Sequence, residues 1–595
     1  MLTRMKIRNF KRFEDSDIEL GKAVVLIGPN NSGKTTVLQA LALWDIGLRR
    51  WNEKRKGKSS VEEGPGATVN RRNLASIPEK RPGVTVNRRD LVSIPVPSAN
   101  LLWRNLHVRN VLRTAKNGKS VPRTENIRVD IIVDGVTHDK AWSCGLEFDF
   151  ANDESFYCRP LRLDKDGKTR MPVPDEAGQA QVAFLPPMSG LADREFEKQE
   201  GEIGVLIGQG QTAQVLRNLC HKIYERGNEG HWNDLLGHIK NLFGVELLAP
   251  KHIVERSEIT MAYNDEYGNT LDLSSSGRGL QQTLLLLAHI YSNPEAVLLL
   301  DEPDAHLEML RQRQTYNLLI HVAEQQGSQI IAASHSEVVL NEAAGRDTVI
   351  AFVGKPHRID DRGSQVLKAL RDIGFEQYYQ AEETGWILYL ENATDLAILQ
   401  AFAKSLSHEA ESLLARPFVK YIETNLPQRA RDHFHGLREA KNDLVGIAIF
   451  DRLDKELQSS SPLYETMWRR KEIENYFCTE EVLLAYAIHS QPDDLFAIAE
   501  ADRREKAMRE AIAEVTKYLG IDDLAPWSPD VKASDEVLDR VFRLFFKKLE
   551  LPLQLRKSDY HVLAGLVPKE KLDREVTEKL DAIVTVARKA RPETE

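Results

Sequence analysis

Short apolar runs recur along the chain, and several of them end abruptly in glycine, asparagine or paired acids. Residues 23–27, Ala-Val-Val-Leu-Ile, lead directly into a glycine-containing loop and then a helical segment. A continuous run of this length predicts a strand buried on both faces, and the order strand, loop, helix predicts a parallel α/β unit. Residues 5–13 read as a short strand entering a turn, and residues 296–300 and 329–333 read as strands flanking a helix at 309–325. Residues 127–150 alternate in the manner of half-buried strands, while 195–242 read as mostly helical. A second α/β series starts with Trp-Ile-Leu-Tyr-Leu at 386–390 and continues with a helix at 395–406 and strands at 418–422 and 444–450. From about residue 480 the pattern is charged and helical, with a proline-containing break at 525–530.

Residues 65–78 are repeated at 82–95 with an offset of 17 positions. Two copies cannot form a solenoid, which needs about three stacked units, so the duplication is expected in an exposed hairpin or loop. A chain of 595 residues is long enough for several cores, and its net charge of -9 excludes a protein that coats nucleic acid by bulk charge. The four cysteines, without a C-x-x-C pair, point away from zinc ribbons and disulfide frameworks and fit a reducing cytoplasm. No apolar run reaches the ~18 residues of a membrane span, so no membrane partner is expected.

Gly-Pro-Asn-Asn-Ser-Gly-Lys-Thr at 28–35 matches the Walker A pattern in its proper strand-to-helix setting. Gly28, Asn31 and Gly33 would let backbone N–H groups curl around phosphates at a helix N-terminus, with Thr36 in the same cradle. Lys34 would reach the terminal phosphates of ATP, and the Thr35 hydroxyl would bind Mg²⁺. The run 296–302 ends in Asp301 and Glu302, which reads as Walker B: Asp301 for the Mg²⁺ shell and Glu302 to polarise the attacking water. His335 follows the next strand, where a histidine can touch the γ-phosphate. Ser-Ser-Ser-Gly-Arg-Gly at 274–279 resembles the signature of ABC-type ATPases, with Ser276, Gly277 and Gly279 as phosphate contacts, although the middle departs from Ser-Gly-Gly. In that superfamily the signature meets nucleotide held by another protomer. The resemblance therefore implies at least a homodimer, with Asp304 near its interface.

In the second series Glu391 ends the first strand, Asp395 follows one helical turn later, and Asp451 ends another strand with Asp454 close behind. Functional groups in open parallel sheets gather at the carboxyl ends of strands, and carboxylates there suit Mg²⁺ or Mn²⁺. Here the chain resembles the OLD-family nucleases, an ABC-type ATPase joined to a Toprim domain. The resemblance implies an α/β fold: an ABC-type P-loop ATPase with a helical insertion, followed by a Toprim α/β domain and a helical C-terminal region. The domains would be an ATPase over 1–355 with inserted segments at about 50–125 and 192–245, a linker over 356–384, and a nuclease over 385–595. It departs from the Toprim pattern at Asn392, which stands where a glycine is usual but tolerates left-handed backbone, and in the two-residue spacer between Asp451 and Asp454.

The same resemblance implies a two-metal DNA nuclease with Glu472 and Glu474 as further ligands and Lys557 stabilising the pentavalent phosphate. It points to bacterial anti-phage defence of the Gabija-like or retron-associated kind, with DNA, a second copy of the chain and an accessory defence protein or RNA/DNA element as partners. Two basic clusters offer backbone contacts: Arg49, Arg50, Lys54, Arg55, Lys56 and Lys58, and Arg469, Arg470 and Lys471. Two rival readings are a DNA-binding ATPase whose Toprim-like module has lost its chemistry, and an ATPase regulator that recruits a partner protein.

Overall fold

A computed structural model describes residues 1–59, 83–91, 94, 96–116, 119–164, 169–226, 229–352, 355–359, 373–454, 456–458, 462–488, 495–520 and 525–592. The first duplicated copy lies outside these residues, as does 360–372 of the expected linker. The chain divides into two compact units, Met1–Leu367 and Lys368–Glu595.

The first unit is built on two six-stranded sheets. In the parallel one, Val182–Leu185, Val297–Asp301, Gln329–Ser334, Ala23–Ile27 and Thr348–Ala351 lie side by side, and His357–Arg358 closes the edge antiparallel. The other sheet is antiparallel, in the order Phe13–Glu19, Leu2–Phe10, Arg128–Thr137, Lys140–Asn152, Ser155–Pro160 and Val84–Asn87. The helix Lys34–Ser59 joins them: Val37, Leu41, Trp44 and Leu48 share one core with Leu26, Leu299 and Ile331 of the first sheet and Ile131, Leu146 and Phe148 of the second. Trp44 fixes this contact by donating its indole N–H to the Cys144 carbonyl at 3.0 Å and stacking on Trp142. Three helices, Glu200–Gly208, Leu216–Glu225 and Glu229–Phe243, fill the region read as a helical insertion.

The second copy of the duplication is not an exposed loop. Its Val84–Asn87 stretch is a strand paired with Ser155–Pro160, and Val86, Leu91 and Ile94 are buried, because alternating Val-Thr-Val suits a sheet edge with one apolar face. This also changes the first basic cluster. Arg50 pairs with Asp90 of that copy at 2.5 Å, Arg49 with Asp45 at 2.7 Å, Lys54 donates to the Gly83 carbonyl and Arg55 to the Val173 carbonyl, so these cations brace the fold. Nothing is described of the Lys56 and Lys58 side chains.

The second unit holds a four-stranded parallel sheet in the order Val419–Tyr421, Trp386–Leu390, Val445–Phe450, Leu463–Met467. Leu388, Leu390, Ile447 and Ile449 enter the larger core with the C-terminal helices, while Ile387, Tyr389, Ala448 and Phe450 face the other. Burial on both faces explains why these strands read as unbroken apolar runs. The helix Phe375–Thr384 belongs to this unit, with Tyr378 and Ala381 buried, so that part of the expected linker is structural. Since the chain-order first strand has its second on one side and its third on the other, the order reverses between Trp386–Leu390 and Val445–Phe450. In open α/β sheets a reversal of this kind is where ligand sites gather, at the carboxyl ends of the strands.

Candidate nucleotide site and acidic site

The loop after Ala23–Ile27 is held by backbone that few residues adopt: Asn31 has φ 64° and Gly33 φ 105°. A Cβ on Gly33 would stand 2.7 Å from the Arg12 side chain and 2.9 Å from Phe13, so both conformation and space require glycine. Lys34 is buried, donating to the carbonyls of Gly28 at 2.6 Å and Pro29 at 2.8 Å. Burial lowers its pKa, and Glu302, Asp301 and Asp304 oppose that. Thr35 and Thr36 open the helix, and the Thr35 hydroxyl donates to Asp301 Oδ1 at 3.0 Å. Burial pushes Asp301 up to about 6, with Thr35 counteracting and nearby Glu302 adding to the rise. A buried carboxyl beside a hydroxyl and a lysine suits a Mg²⁺–nucleotide, whose cation would favour the ionised form.

Glu302 itself takes a left-handed φ of 49°, turning the chain at the end of the strand, and its carboxylate lies 3.9 Å from His335 Nδ1. Both are partly exposed, so the two sequence-predicted groups meet at an open edge. Asp304 is buried, with its pKa raised by burial and one carboxyl oxygen lacking a hydrogen-bond partner. Gly277 is the N-cap of the helix Arg278–Ser292 and has no side-chain cap bond; Ser276 donates its hydroxyl to the Leu273 carbonyl. A Cβ on Gly277 would meet nothing within 4 Å, while Gly279 abuts Leu307. The signature-like segment thus ends in a helix N-terminus open to solvent.

In the second unit Glu391 and Asp451 follow the two strands on either side of the reversal. Burial is the main reason the Asp451 carboxyl is pushed up to about 8; Asp395, Glu391 and Glu472 add to the rise and Lys557 opposes it. Asp395 is raised to about 6 by burial, held back by the Asn392 N–H that donates to it at 3.2 Å. This is a capping box at the start of Ala393–Leu406. Asn392 is extended, with φ -140°, so this position makes no left-handed demand and the missing glycine costs nothing.

Glu472 caps the turn Ile473–Tyr476 and Glu474 lies within it; both are buried, and burial raises both. Glu472 accepts the Ser534 N–H. Lys557 Nζ donates to Ser534 Oγ at 3.1 Å and stands 3.9 Å from Asp535. Five of the six acids therefore influence one another. Asp454 is exposed and is not among the charges acting most on Asp451: the longer spacer carries it past the strand end into the loop. Among the described residues, no three His, Cys, Asp or Glu side chains are grouped closely enough to hold a metal ion. The acids repel and have taken partners of their own, Glu472 on Ser534 and Asp395 on Asn392. Their all-carboxylate chemistry nonetheless fits a hard divalent cation.

Sequence reading missed Lys532 and Ser534. Lys532 feels both Glu472 and Glu391, but it arrives from a distant helical region with no motif to mark it. The second basic cluster is largely engaged: Arg469 pairs with Glu578 at 2.8 Å, Arg470 with Asp573 at 2.8 Å, and Lys471 is exposed.

Comparison with known proteins bears on the first unit. Residues 1–45 match the family described as "AAA ATPase domain". That stretch holds the Walker A loop. Residues 217–341, which carry the signature-like segment and Walker B, match the family described as "AAA domain, putative AbiEii toxin, Type IV TA system". A stretch of 43 residues is 46% identical to the OLD nuclease of Thermus scotoductus, covering 7% of this chain and 8% of that protein. Among solved structures, the SMC head domain from Thermotoga maritima aligns over 60% of this chain and 98% of its own at 15% identity and TM-score 0.30. The Smc head domain derived from Pyrococcus furiosus, bound to the C-terminal domain of ScpA, aligns over 62% and 99% at 13% identity and TM-score 0.33. No helix among the described residues is long and apolar enough to cross a membrane.

Proposed function

We propose that the chain is an ATP-hydrolysing, Mg²⁺-dependent DNA endonuclease of the OLD type, in which nucleotide state gates cutting. The observation that carries this reading is the strand reversal of the second unit and the acids that follow it. Asp395, Glu391 and Glu472 all raise the Asp451 carboxyl and Lys557 opposes them, at a sheet reversal. The second unit is read as a Toprim domain on that arrangement. Glu391 and Asp451 would hold Mg²⁺ or Mn²⁺, joined by Glu472 and Glu474. Such ions lower the pKa of water and stabilise a leaving 3′-oxygen. Lys557 and Lys532 would lend positive charge to the phosphodiester, and Asp395 would position the loop through the Asn392 N–H.

In the first unit Lys34, Thr35 and Asp301 would bind ATP and Mg²⁺, and Glu302 with His335 would orient the attacking water. Ser276, Gly277 and Gly279 would complete the site of a second copy, making the chain a homodimer or larger. Bacterial anti-phage defence in the cytoplasm, with an accessory protein or RNA/DNA element, is the biological setting this family reading suggests.

A second reading, a DNA-binding ATPase with a non-catalytic module, draws support from the exposed Asp454 and from the absence of a tight three-acid group among the described residues. Plasmid nicking separates the two. The nuclease reading expects relaxed and linear products with Mg²⁺ or Mn²⁺ and none with EDTA. Intact supercoiled plasmid under every divalent ion tried, with retained DNA binding, supports the second reading instead.

A further inference from the structure

Ser534 has been given no part at the acidic site, yet its bonds run into it. It is the second residue of the π-helix Ala533–Leu538 and is 1% exposed, with Ala533, Val537 and Leu538 buried as well. Helical turns of this kind are rare and frequently mark functional sites. A hydroxyl in such surroundings costs free energy unless it is bonded. A serine near the start of a helix ordinarily bonds the backbone of its own turn, but the Ser534 hydroxyl accepts Lys557 Nζ at 3.1 Å, 23 positions along the chain. Its N–H reaches back 62 positions to the Glu472 carboxylate. Burial raises the Glu472 carboxyl, and the Ser534 N–H and hydroxyl both oppose that rise. Tyr560, at the end of the turn that Lys557 opens, donates its hydroxyl to the Ser534 carbonyl at 3.5 Å.

The segment ahead of Ser534 is laced to both acid-bearing loops. Arg452, next to Asp451, pairs with Asp530 at 2.7 Å. The Lys471 N–H donates to the Pro529 carbonyl at 2.8 Å, and Asn475 Nδ2 donates to the carbonyls of Ser528 and Val531 at 3.2 and 3.0 Å. The Ser534 backbone is therefore fixed near Asp451 and Glu472 by contacts that do not involve its side chain, and removing the hydroxyl leaves this lacing in place. Lys557 depends on that hydroxyl more. Its ammonium sits on a flexible four-carbon stem, and the exposed Asp535, 3.9 Å away, competes for it.

We propose that Ser534 is a positioning residue of the acidic site, yoking Glu472 to Lys557 so that the acid that holds metal and the cation that meets phosphate keep one spacing. The inference rests on the nuclease reading for the roles of those two partners. A hydroxyl suits the task because it accepts from an ammonium while donating to a carboxylate. Threonine keeps both capacities and alanine has neither. Spacing matters at such a site, where a displacement of about 1 Å can cost on the order of a hundredfold in rate.

The test pairs Mn²⁺ titration calorimetry on the nucleotide-free, EDTA-stripped full chain with plasmid-nicking kinetics at saturating Mn²⁺. The variants are Ser534→Ala, Ser534→Thr, Lys557→Gln and the double variant Ser534→Ala with Lys557→Gln. Asp451→Ala identifies the Mn²⁺ that belongs to the acidic site, and circular dichroism with ATP hydrolysis reports folding. Ser534→Ala should weaken that Mn²⁺ by about tenfold, as when a group bonded to a metal ligand is removed. Its nicking kcat should fall at least about tenfold while KM for plasmid stays within about twofold. Ser534→Thr should return both to within about threefold of wild type. The double variant should nick no more slowly than Lys557→Gln alone, because the two side chains act as a unit. Multiplying losses in the double variant, or wild-type Mn²⁺ affinity and kcat in folded Ser534→Ala, would overturn the inference. If Ser534→Ala fails to fold, Ser534→Cys, with a weaker hydrogen-bonding group, is read in the same way. Weakened Mn²⁺ binding in Ser534→Ala with no nicking by the wild type upholds the hold on Glu472 and sinks the nuclease reading. Nicking by the wild type with Ser534→Ala unchanged does the reverse, and no Asp451-dependent Mn²⁺ in the wild type sinks both.

Discussion

At the scale of single residues, Asp395 and Asp451 look alike in the sequence, since each is an acid near the end of an apolar run. Geometry separates them. Asp395 is tied to the Asn392 N–H as a helix cap, whereas Asp451 stands among Asp395, Glu391 and Glu472. Asp395→Asn, which keeps a carbonyl acceptor, should retain most nicking, and Asp395→Ala should cost about 1 kcal/mol of stability in urea melts. Loss of nicking in a stable Asp395→Asn protein would return it to the metal ligands. The places of Glu391 and Asp451 were legible because a buried parallel strand must end where its polar residues begin. The exposed place of Asp454 was not, because spacing says nothing of which way a loop turns.

His289 makes a second residue-scale prediction. It is fully buried in Arg278–Ser292, and burial lowers its pKa to about 4. An unfolded histidine titrates near 6.5, so above that pH both states are neutral and stability is full. As pH falls from about 6.5 towards 4, only the unfolded chain takes up the proton, and stability is lost by up to roughly 3 kcal/mol. His289→Phe should show a shallower loss of unfolding free energy over that window than wild type. Parallel curves would contradict the assignment.

At the scale of elements, the order of strands and helices was readable because buried parallel strands appear as unbroken apolar runs. The helix at 309–325 and the strand at 23–27 fall where the pattern puts them, as Met309–Gln325 and Ala23–Ile27. What stayed hidden depends on neighbours distant in sequence. The second duplicated copy becomes an edge strand only because Ser155–Pro160 is there to pair with it, and Lys532 joins the acids only through tertiary packing. The same logic makes Gly47 critical to how the long helix lies on the antiparallel sheet. A Cβ there would stand 2.9 Å from Cys158 Sγ and 3.0 Å from the Phe148 ring. Gly47→Ala should therefore destabilise the first unit by about 1–3 kcal/mol despite its better helix propensity. An unchanged or higher melting temperature would show that the helix shifts freely.

At the scale of the whole molecule, the Walker residues and the acidic residues lie in different compact units and share no side chain. Phosphodiester hydrolysis is downhill and needs no energy from ATP, so nucleotide should act as a signal through the population of conformations. Lys34→Ala should keep metal-dependent nicking of a permissive plasmid but lose its response to added ATP. Complete loss of nicking in a folded, correctly assembled variant would show an obligatory dependence on nucleotide.

The central claim is that Asp451 anchors a cutting site separate from the ATPase. It is tested most directly by measuring plasmid nicking and ATP hydrolysis on one preparation of Asp451→Ala beside wild type. Nicking should fall to the EDTA background while ATP hydrolysis stays within about twofold of wild type, as expected when a metal ligand is removed from a site in the other unit. Wild-type nicking by Asp451→Ala would contradict the account.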